Sequence, residues 1–291
     1  ADLTDILEGD PEWKERFNPE AFSYTTFDGR IYGLPVEIIY EALFVNQALF
    51  NAYGISIPRT YEQLKEAVVK FREHKVTPIA YNHHPEGTYI YQNITARLGG
   101  REGVEGVRNG VGDCYVRAMR IMKELYDLEA FPRDAYNLSD RERNDLFLRQ
   151  DAPMIVQGSW FTSDLYNAHL EKSVKIIPFP AFDEEREGYP LVYGLGCGTF
   201  FMSSQAEKDP QKRDACLRLL KALTSPEASL TLTSNSGFIS NIDLSDYRDE
   251  TNDLYDVGVS LINNAGELVP PPDSVVDRIV WEQTIVPGFP G

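Results

Sequence analysis

Apolar and polar residues alternate along the chain in short blocks, some with helical spacing and others typical of buried strands. A helix is predicted after Thr60, because Thr60 and Gln63 form a capping-box pattern at its start. Apolar residues then recur at intervals of three and four: Leu64, Ala67, Val68 and Phe71.

Further helices are predicted at residues 161–170, from Asp113, from Pro210 with Asp209 before it, from Pro226 with Ser225 before it, and after Ser274. The helix after Asp113 is expected to bury a broad apolar face: Val116, Met119, Ile121, Met122 and Leu125. The helices after Asp209 and Ser274 are expected to carry the apolar residues Ala215, Leu219, Leu220, Leu223, Val275, Val276, Ile279 and Val280.

Short apolar runs without helical spacing predict buried strands at residues 42–45, 77–80, 153–156, 174–177 and 199–202. The pair Asp28-Gly29 predicts a tight hairpin-type turn before an extended stretch. Strands that alternate with helices indicate an α/β architecture.

Composition restricts the classes of function. The 291 residues are 42% hydrophobic and 25% charged, which is typical of a soluble globular chain of one or two domains. Forty-five acidic against 28 basic residues give a net charge of −17, which disfavours binding to nucleic acid or to anionic membranes. Three cysteines are too few for a disulfide framework.

Catalytic and cofactor motifs are missing. The glycine-rich stretch at 194–198 fits neither a dinucleotide fingerprint nor a P-loop, so we interpret it as a backbone bend or hinge. The pair His83-His84 with Glu86 is interpreted as a polar loop, and the acidic run at 183–187 as a solvated loop. The sequence therefore predicts no enzyme, cofactor or metal site. A glycosidase-type pair of carboxylates stays open as an alternative, because the chain has 45 acidic residues and no pattern selects two of them.

A series of segments resembles a known family. The segment DGRIYGLPVE at residues 28–37 is similar to that family's "dGkiYGlPxe". Further matching segments follow in order at residues 44–50, 54–64, 77–80, 153–160, 193–198, 221–227 and 236–239. In order and spacing they resemble the family 1 extracellular solute-binding proteins, the sugar-capturing subunits of bacterial ABC importers. Val45 departs from the pattern, because the family usually has tyrosine there.

The resemblance implies an α/β, two-lobe fold of the periplasmic-binding-protein type II class, with mixed sheets flanked by helices and a ligand cleft between the lobes. Residues 1–40 are expected to form the remainder of the first lobe and residues 41–193 the second lobe. Residues 194–250 then return to the first lobe through a hinge near 194–198, and residues 251–291 cross back towards the second lobe. The start of the chain matches a point well inside the family pattern, so an incomplete first lobe is expected.

The implied function is capture of a sugar or oligosaccharide and its delivery to the membrane permease of an ABC transporter. The protein is expected to be monomeric and extracellular, either lipid-anchored to the cell membrane or periplasmic, with its signal and anchor outside this chain. Two alternatives stay open: a solute-binding fold used as a sensor or receptor partner, and a sugar-processing enzyme.

The resemblance also indicates where ligand contacts are expected. Trp160 would be a stacking platform for the apolar face of a sugar ring, and Glu37 would accept hydrogen bonds from sugar hydroxyls. An alternative for Trp160 is a core ring after a turn, with Ser159 capping the following helix. Further candidate contacts are Tyr32, Tyr40, Tyr89, Tyr193 and His83.

Overall fold

The computed structural model describes residues 1–109, 112–182, 188–234, 236–244, 246–247 and 253–289. The chain forms two compact units: unit 1 comprises Ala1–Ile39 and Gly194–Tyr255, and unit 2 comprises Tyr40–Tyr193 and Asp256–Gly291. The acidic run predicted to be a loop, 183–187, lies outside the described residues.

Strands and helices alternate through both units, as the α/β prediction requires. The strands are β1 (Thr26–Phe27), β2 (Arg30–Ile31), β3 (Gly33–Pro35), β4 (Glu37–Asn46), β5 (Ile79–Ala80), β6 (Met154–Gly158), β7 (Val174–Ile177), β8 (Pro190–Leu195), β9 (Thr199–Phe201), β10 (Ile239–Ser240) and β11 (Glu267–Val269). The helices are α1 (Thr4–Glu8), α2 (Pro11–Lys14), α3 (Gln47–Tyr53), α4 (Tyr61–Glu73), α5 (Tyr89–Glu105), α6 (Asp113–Asp127), α7 (Asp140–Leu148), α8 (Phe161–Asn167), α9 (Ser204–Lys208), α10 (Pro210–Leu223), α11 (Pro226–Thr233), α12 (Asp253–Asn263), α13 (Pro272–Val275) and α14 (Arg278–Val280).

Unit 2 is built on a mixed sheet in the order β11-β8-β4-β6-β5, with β7 also paired to β4. Strands β5 and β6 are parallel, whereas β4 runs antiparallel to both β6 and β7. The register places Glu41 opposite Gly158 and Val45 opposite Lys175. Every residue of β4 is buried, which explains why the strand reads as an apolar run.

Helix α4 begins where the capping pattern predicts. The Thr60 hydroxyl accepts a hydrogen bond from the Gln63 backbone at 3.2 Å. The Gln63 side chain accepts from the backbone N–H of Arg59 at 2.8 Å, one residue before the position that a standard capping box uses. The predicted apolar face is buried in the core of unit 2.

Helix α6 also begins at the predicted residue, Asp113, but its buried face is rotated from the predicted one. Val116 is 42% exposed, whereas Cys114, Tyr115 and Ala118 are buried together with Met122 and Leu125. The predicted face was wrong at Val116 because Cys114 packs against helix α5, where Gly99 and Gly103 leave room for it.

The segment after Ser274 differs more from its prediction. Ser274 lies inside the short helix α13, and Asp277 caps the next helix, with its carboxylate accepting from the backbone of Ile279. Ile279 and Val280 are exposed rather than buried. Trp281 and Phe289, which follow, are buried beside Tyr91 in the core of unit 2.

Unit 1 has its own apolar core, contributed mainly by α1, α2 and the segment leading to β4. Trp13 is buried there, and its indole N–H donates to the Thr224 hydroxyl at 2.8 Å. The predicted hairpin turn is present between β1 and β2, with Asp28 and Gly29 both at positive φ.

Helix α10 begins after its predicted cap, since the Asp209 carboxylate accepts from the Gln211 backbone at 3.1 Å. The buried face predicted for α10 included too many residues, however. Leu220 is 6% exposed and joins the core of unit 1, whereas the adjacent Leu219 is 58% exposed.

Candidate functional site

Two aromatic rings meet on unit 2. Trp160 follows strand β6, and Tyr89 is the first residue of helix α5. Their ring centroids lie 5.5 Å apart with the planes at 66°, an edge-to-face arrangement. Both side chains are partly exposed, so the pair presents aromatic surface to solvent.

The Trp160 ring lies directly over Gly158. A Cβ atom at residue 158 would stand only 2.1 Å from the ring. Glycine at this position is therefore required for the ring to lie where it does.

A buried carboxyl group lies beside the aromatic pair. Glu41 is 2% exposed, and the strand register sets it opposite Gly158. The Asn93 amide donates to a Glu41 carboxyl oxygen and to the backbone carbonyl of Tyr89, each at 2.9 Å. This amide thereby joins the carboxyl group to the start of helix α5.

The electrostatics of this cluster favour the protonated form of Glu41. Burial raises the pKa of Glu41 well above 4.5, and nearby Asp273 raises it further, against a smaller lowering by the Asn93 hydrogen bond. Desolvation also raises the pKa of Asp273, although part of this residue is exposed, and a hydrogen bond from Gln92 partly offsets the rise. Burial, with the Glu41 charge, raises the pKa of the Tyr89 hydroxyl. A protonated Glu41 can donate a hydrogen bond as well as accept one.

Arg143 supports Tyr89 from within unit 2. Its guanidinium carbon lies 5.7 Å from the Tyr89 ring centroid. The side chain is buried, and it donates to Asn82 at 3.0 Å, to Asp140 at 3.3 Å and to Asn144 at 3.1 Å. A cation held by three partners gives the ring a fixed neighbour.

His83 contacts aromatic rings other than those of Tyr89 and Trp160. Its imidazole stacks on the Tyr136 ring at 4.1 Å and meets the edge of Phe289 at 5.7 Å. Burial lowers the pKa of His83. The role of His83 as a ligand contact stays a prediction.

Tyr40 and Tyr193 are both 0% exposed. The Tyr40 carbonyl accepts from the Ser159 backbone at 2.9 Å, which ties strand β4 to the residue before Trp160. The Ser159 hydroxyl makes no capping bond to helix α8, so the predicted side-chain cap is wrong. Ser159 instead contributes its backbone carbonyl, which accepts from the Thr162 hydroxyl at 2.9 Å.

Glu37 and Tyr32 belong to unit 1. Gly196 donates its backbone N–H to the Glu37 carbonyl at 2.8 Å, and a Cβ atom at Gly198 would lie 2.7 Å from a Glu37 carboxylate oxygen. Burial raises the pKa of Glu37, whereas hydrogen bonds from Gly198 and Ser236 lower it. These two glycines thus allow close packing against Glu37, which is a backbone role. The half-buried Tyr32 ring lies 6.2 Å from that of Phe27.

Sequence reasoning missed several polar members of the unit 2 cluster: Glu41, Asn93, Arg143 and Asp273. One signal was readable, because Glu41 is the one charged residue in the otherwise apolar stretch at 38–45. Nothing local marks Asn93 or Asp273, which approach Glu41 only through the tertiary fold.

Two searches were limited to the described residues. They contain no group of three or more histidine, cysteine, aspartate or glutamate side chains that could hold a metal ion. Over the same residues, no helix has both the length and the apolar character needed to cross a bilayer.

Comparison with known families decides the classification. The family described as bacterial extracellular solute-binding protein matches residues 1–229. The chain belongs to this family. This solute-binding protein is also 23% identical, over 228 residues, to a maltotriose-binding protein of Pyrococcus abyssi (strain GE5 / Orsay). That match covers 77% of this chain and 47% of the relative, so the chain spans about half the length of the relative.

Solved structures show the same fold. A chitin oligosaccharide binding protein matches with a TM-score of 0.81 at 21% identity, over 100% of this chain and 74% of that one. A solute-binding protein, RafE, in complex with raffinose matches with a TM-score of 0.78 at 14% identity, over 99% of this chain and 74% of that one. Maltose-bound MalE3 of T. maritima matches with a TM-score of 0.73 at 18% identity, over 93% of this chain and 69% of that one. The predicted two-lobe α/β class of this solute-binding protein is therefore confirmed.

Proposed function

We propose that this solute-binding protein captures a sugar or oligosaccharide and delivers it to the membrane permease of an ABC importer. The observation that carries the proposal is the Tyr89–Trp160 pair, whose Trp160 ring lies over Gly158, with the Glu41 carboxyl group nearby. Aromatic faces pack against the C–H face of a pyranose, and carboxyl and amide groups bind its hydroxyls.

The names of similar proteins support a carbohydrate ligand. The curated relative binds maltotriose by its name, and the structures named above bind chitin oligosaccharide, raffinose or maltose by theirs. We propose Trp160 and Tyr89 as the stacking groups, with Glu41, Asn93 and Asp273 as additions to the predicted set. Glu37, Tyr32, Tyr40, Tyr193 and His83 stay predicted contacts.

The protein is proposed to act by binding alone, outside the cytoplasm, as a monomer. Membership of a binding-protein family supports an activity without turnover. Glu41 and Asp273 are nevertheless neighbouring carboxyl groups, the residue type that a sugar-processing enzyme uses. Product analysis after incubation with oligosaccharides separates the two functions, because only an enzyme shortens its ligand.

The proposal is tested by calorimetric titration with a panel of neutral mono- and oligosaccharides. At least one sugar is expected to bind saturably and to be recovered unchanged. The Trp160→Ala variant is expected to weaken binding of that sugar by about five- to tenfold, since a stacked ring contributes on the order of 1 kcal/mol or slightly more. Tyr126→Ala is the matched control, because it removes an exposed ring of unit 2 outside the cluster.

Two results would contradict the proposal. Equal affinity for the wild type and the Trp160→Ala variant would remove the aromatic pair from the site. Recovery of shortened oligosaccharide would identify an enzyme.

A further inference from the structure

Unit 2 also carries an open groove with a cavity volume of about 1020 Å³. We call it the basic groove. The residues that line it come from α3, the segment 55–59, α4, α5, β7 and Pro178, which directly follows β7. Its charged members are Arg59, Glu66, Lys70, Arg97 and Lys175.

The elements around the groove explain why these side chains share one surface. On α4, Gln63, Glu66 and Lys70 recur at intervals of three and four residues and form a stripe beside the buried face. On β7, Lys175 and Ile177 are two residues apart and therefore project from the same face of the strand.

The charge of the groove is opposite to that of the whole protein. Four basic residues and one acidic residue line it, in a chain whose net charge is −17. Within the described part of the chain, Arg59, Lys70 and Lys175 form no ion pair. Two other cations of α4 do, since Lys65 contacts Glu124 at 3.0 Å and Arg72 contacts Glu129 at 2.7 Å. Three of the four basic side chains that line the groove are therefore without an ion-pair partner among the described residues.

The lining is not purely polar. Ile55 is buried, Ile57 and Ile177 are partly buried, and all three line the groove between the basic side chains. The groove therefore offers apolar surface as well as positive charge. A ligand that matched it would carry both negative and apolar groups.

The groove is separate from the aromatic pair. Tyr89 and Arg97 are eight residues apart on α5, which corresponds to about 12 Å along a helix. On strand β4, Glu41 and the partner of Lys175, Val45, are four residues apart, or about 13 Å. The groove and the aromatic cluster share no lining residue.

We propose that the basic groove binds an acidic peptide segment of a partner protein. Carboxylates of the segment would face Arg59, Lys70 and Lys175, and its apolar side chains would pack on the isoleucines. The volume is at the upper end of the range for small-molecule pockets and far exceeds that of an inorganic anion, which favours a length of chain. Local positive potential can attract an acidic segment although the protein as a whole repels it.

The test uses a short fluorescein-labelled peptide that alternates glutamate and valine, followed by fluorescence anisotropy on the full chain. Saturable binding that weakens as salt is added is expected, because exposed charges are screened. The double variant Lys70→Gln/Lys175→Gln is expected to lower the affinity by about tenfold, since each exposed ion pair accounts for up to about fivefold.

Matched controls separate this site from general charge effects. Arg141→Gln/Lys172→Gln removes the same charge from exposed positions of unit 2 outside the groove, and its affinity is expected to stay within about twofold of the wild type. A peptide with glutamine in place of glutamate is expected to bind at least about tenfold more weakly. Titration of the same variants with sugar tests the aromatic pair independently, and their sugar affinity is expected to equal that of the wild type.

Three results would overturn the inference. They are equal loss of affinity in both double variants, no measurable binding of the glutamate peptide, and complete displacement of the peptide by an equal concentration of pyrophosphate. The last result would assign the groove to a small anion.

Discussion

At residue 158 the chain has no side chain, and the Trp160 ring fills the space that one would need. We expect Gly158→Ala to displace the ring, since a methyl group there would lie about 2 Å from it. Sugar affinity should fall by about tenfold, the value of a lost stacking contact. Calorimetry gives the affinity, and near-ultraviolet circular dichroism reports the indole environment.

Gly106→Ala is the matched control for that variant. A methyl group at Gly106 meets no described atom within 4 Å, and its φ of −61° suits any residue. Equal affinities for both variants and the wild type would show that the position of the Trp160 ring is immaterial to binding.

The raised pKa of Glu41 gives a pH dependence with a defined sign. The folded state holds this proton more tightly than the unfolded state does. The resulting stabilisation is complete below about pH 4.5 and is lost as the pH rises towards the folded-state pKa. In Glu41→Gln the group is neutral at every pH. We therefore expect the free energy of unfolding of the variant to fall less steeply above pH 4.5 than that of the wild type.

Urea unfolding at a series of pH values measures both slopes. The exposed Glu105→Gln is the control and should follow the wild type. Parallel curves for Glu41→Gln and the wild type would mean that Glu41 ionises alike in the folded and unfolded chain.

Only some residues of the site could be predicted from the sequence. Trp160 and Tyr89 could be predicted because a resemblance pointed to them, and the structure brings their rings together. Glu41 stands out as the one charged residue in an apolar strand pattern, but that pattern does not say what the carboxyl group does. Its importance depends on Asn93 and Asp273, which approach it only when distant segments pack, and such contacts leave no local pattern.

At the scale of elements, helix α10 carries two adjacent leucines with different burial: Leu220 is buried and Leu219 is exposed. Leu220→Ala is expected to lower the free energy of unfolding by about 2–5 kcal/mol, because it leaves a cavity in the core of unit 1. Leu219→Ala should change it by at most about 0.5 kcal/mol, since that side chain is mostly exposed. Denaturant unfolding of both variants gives the comparison, and equal losses would refute the assignment of faces.

Helix starts proved easier to predict than helix faces. Thr60 and Asp209 cap their helices through bonds to residues two or three positions away, so local sequence specifies them. The buried faces of α6 and α10 depend on what packs against them. Glycines of α5 leave room for Cys114, and this contact shifts the buried face of α6. The spacing of apolar residues within α6 carries no information about those glycines.

For the whole molecule, the net charge of −17 predicts a response to salt. Self-repulsion of this size destabilises the compact state, and added salt screens it. The midpoint of thermal unfolding at pH 7 is expected to rise with sodium chloride, by about 2–4 °C for each kcal/mol gained. Potassium chloride should act alike, and a midpoint that stays constant in both salts would count against net repulsion.

The path of the chain through the two units has a consequence for biosynthesis. The core of unit 2 packs Trp281, Val286 and Phe289 with Leu43 and Val45, which the ribosome makes much earlier. Residues 194–255, which belong to unit 1, are translated in between. At about 5–20 residues per second, the interval from residue 193 to residue 281 lasts roughly 5–20 s. During that time the emerging chain exposes an unfinished apolar core, which makes it a natural client for chaperones that shield such surfaces.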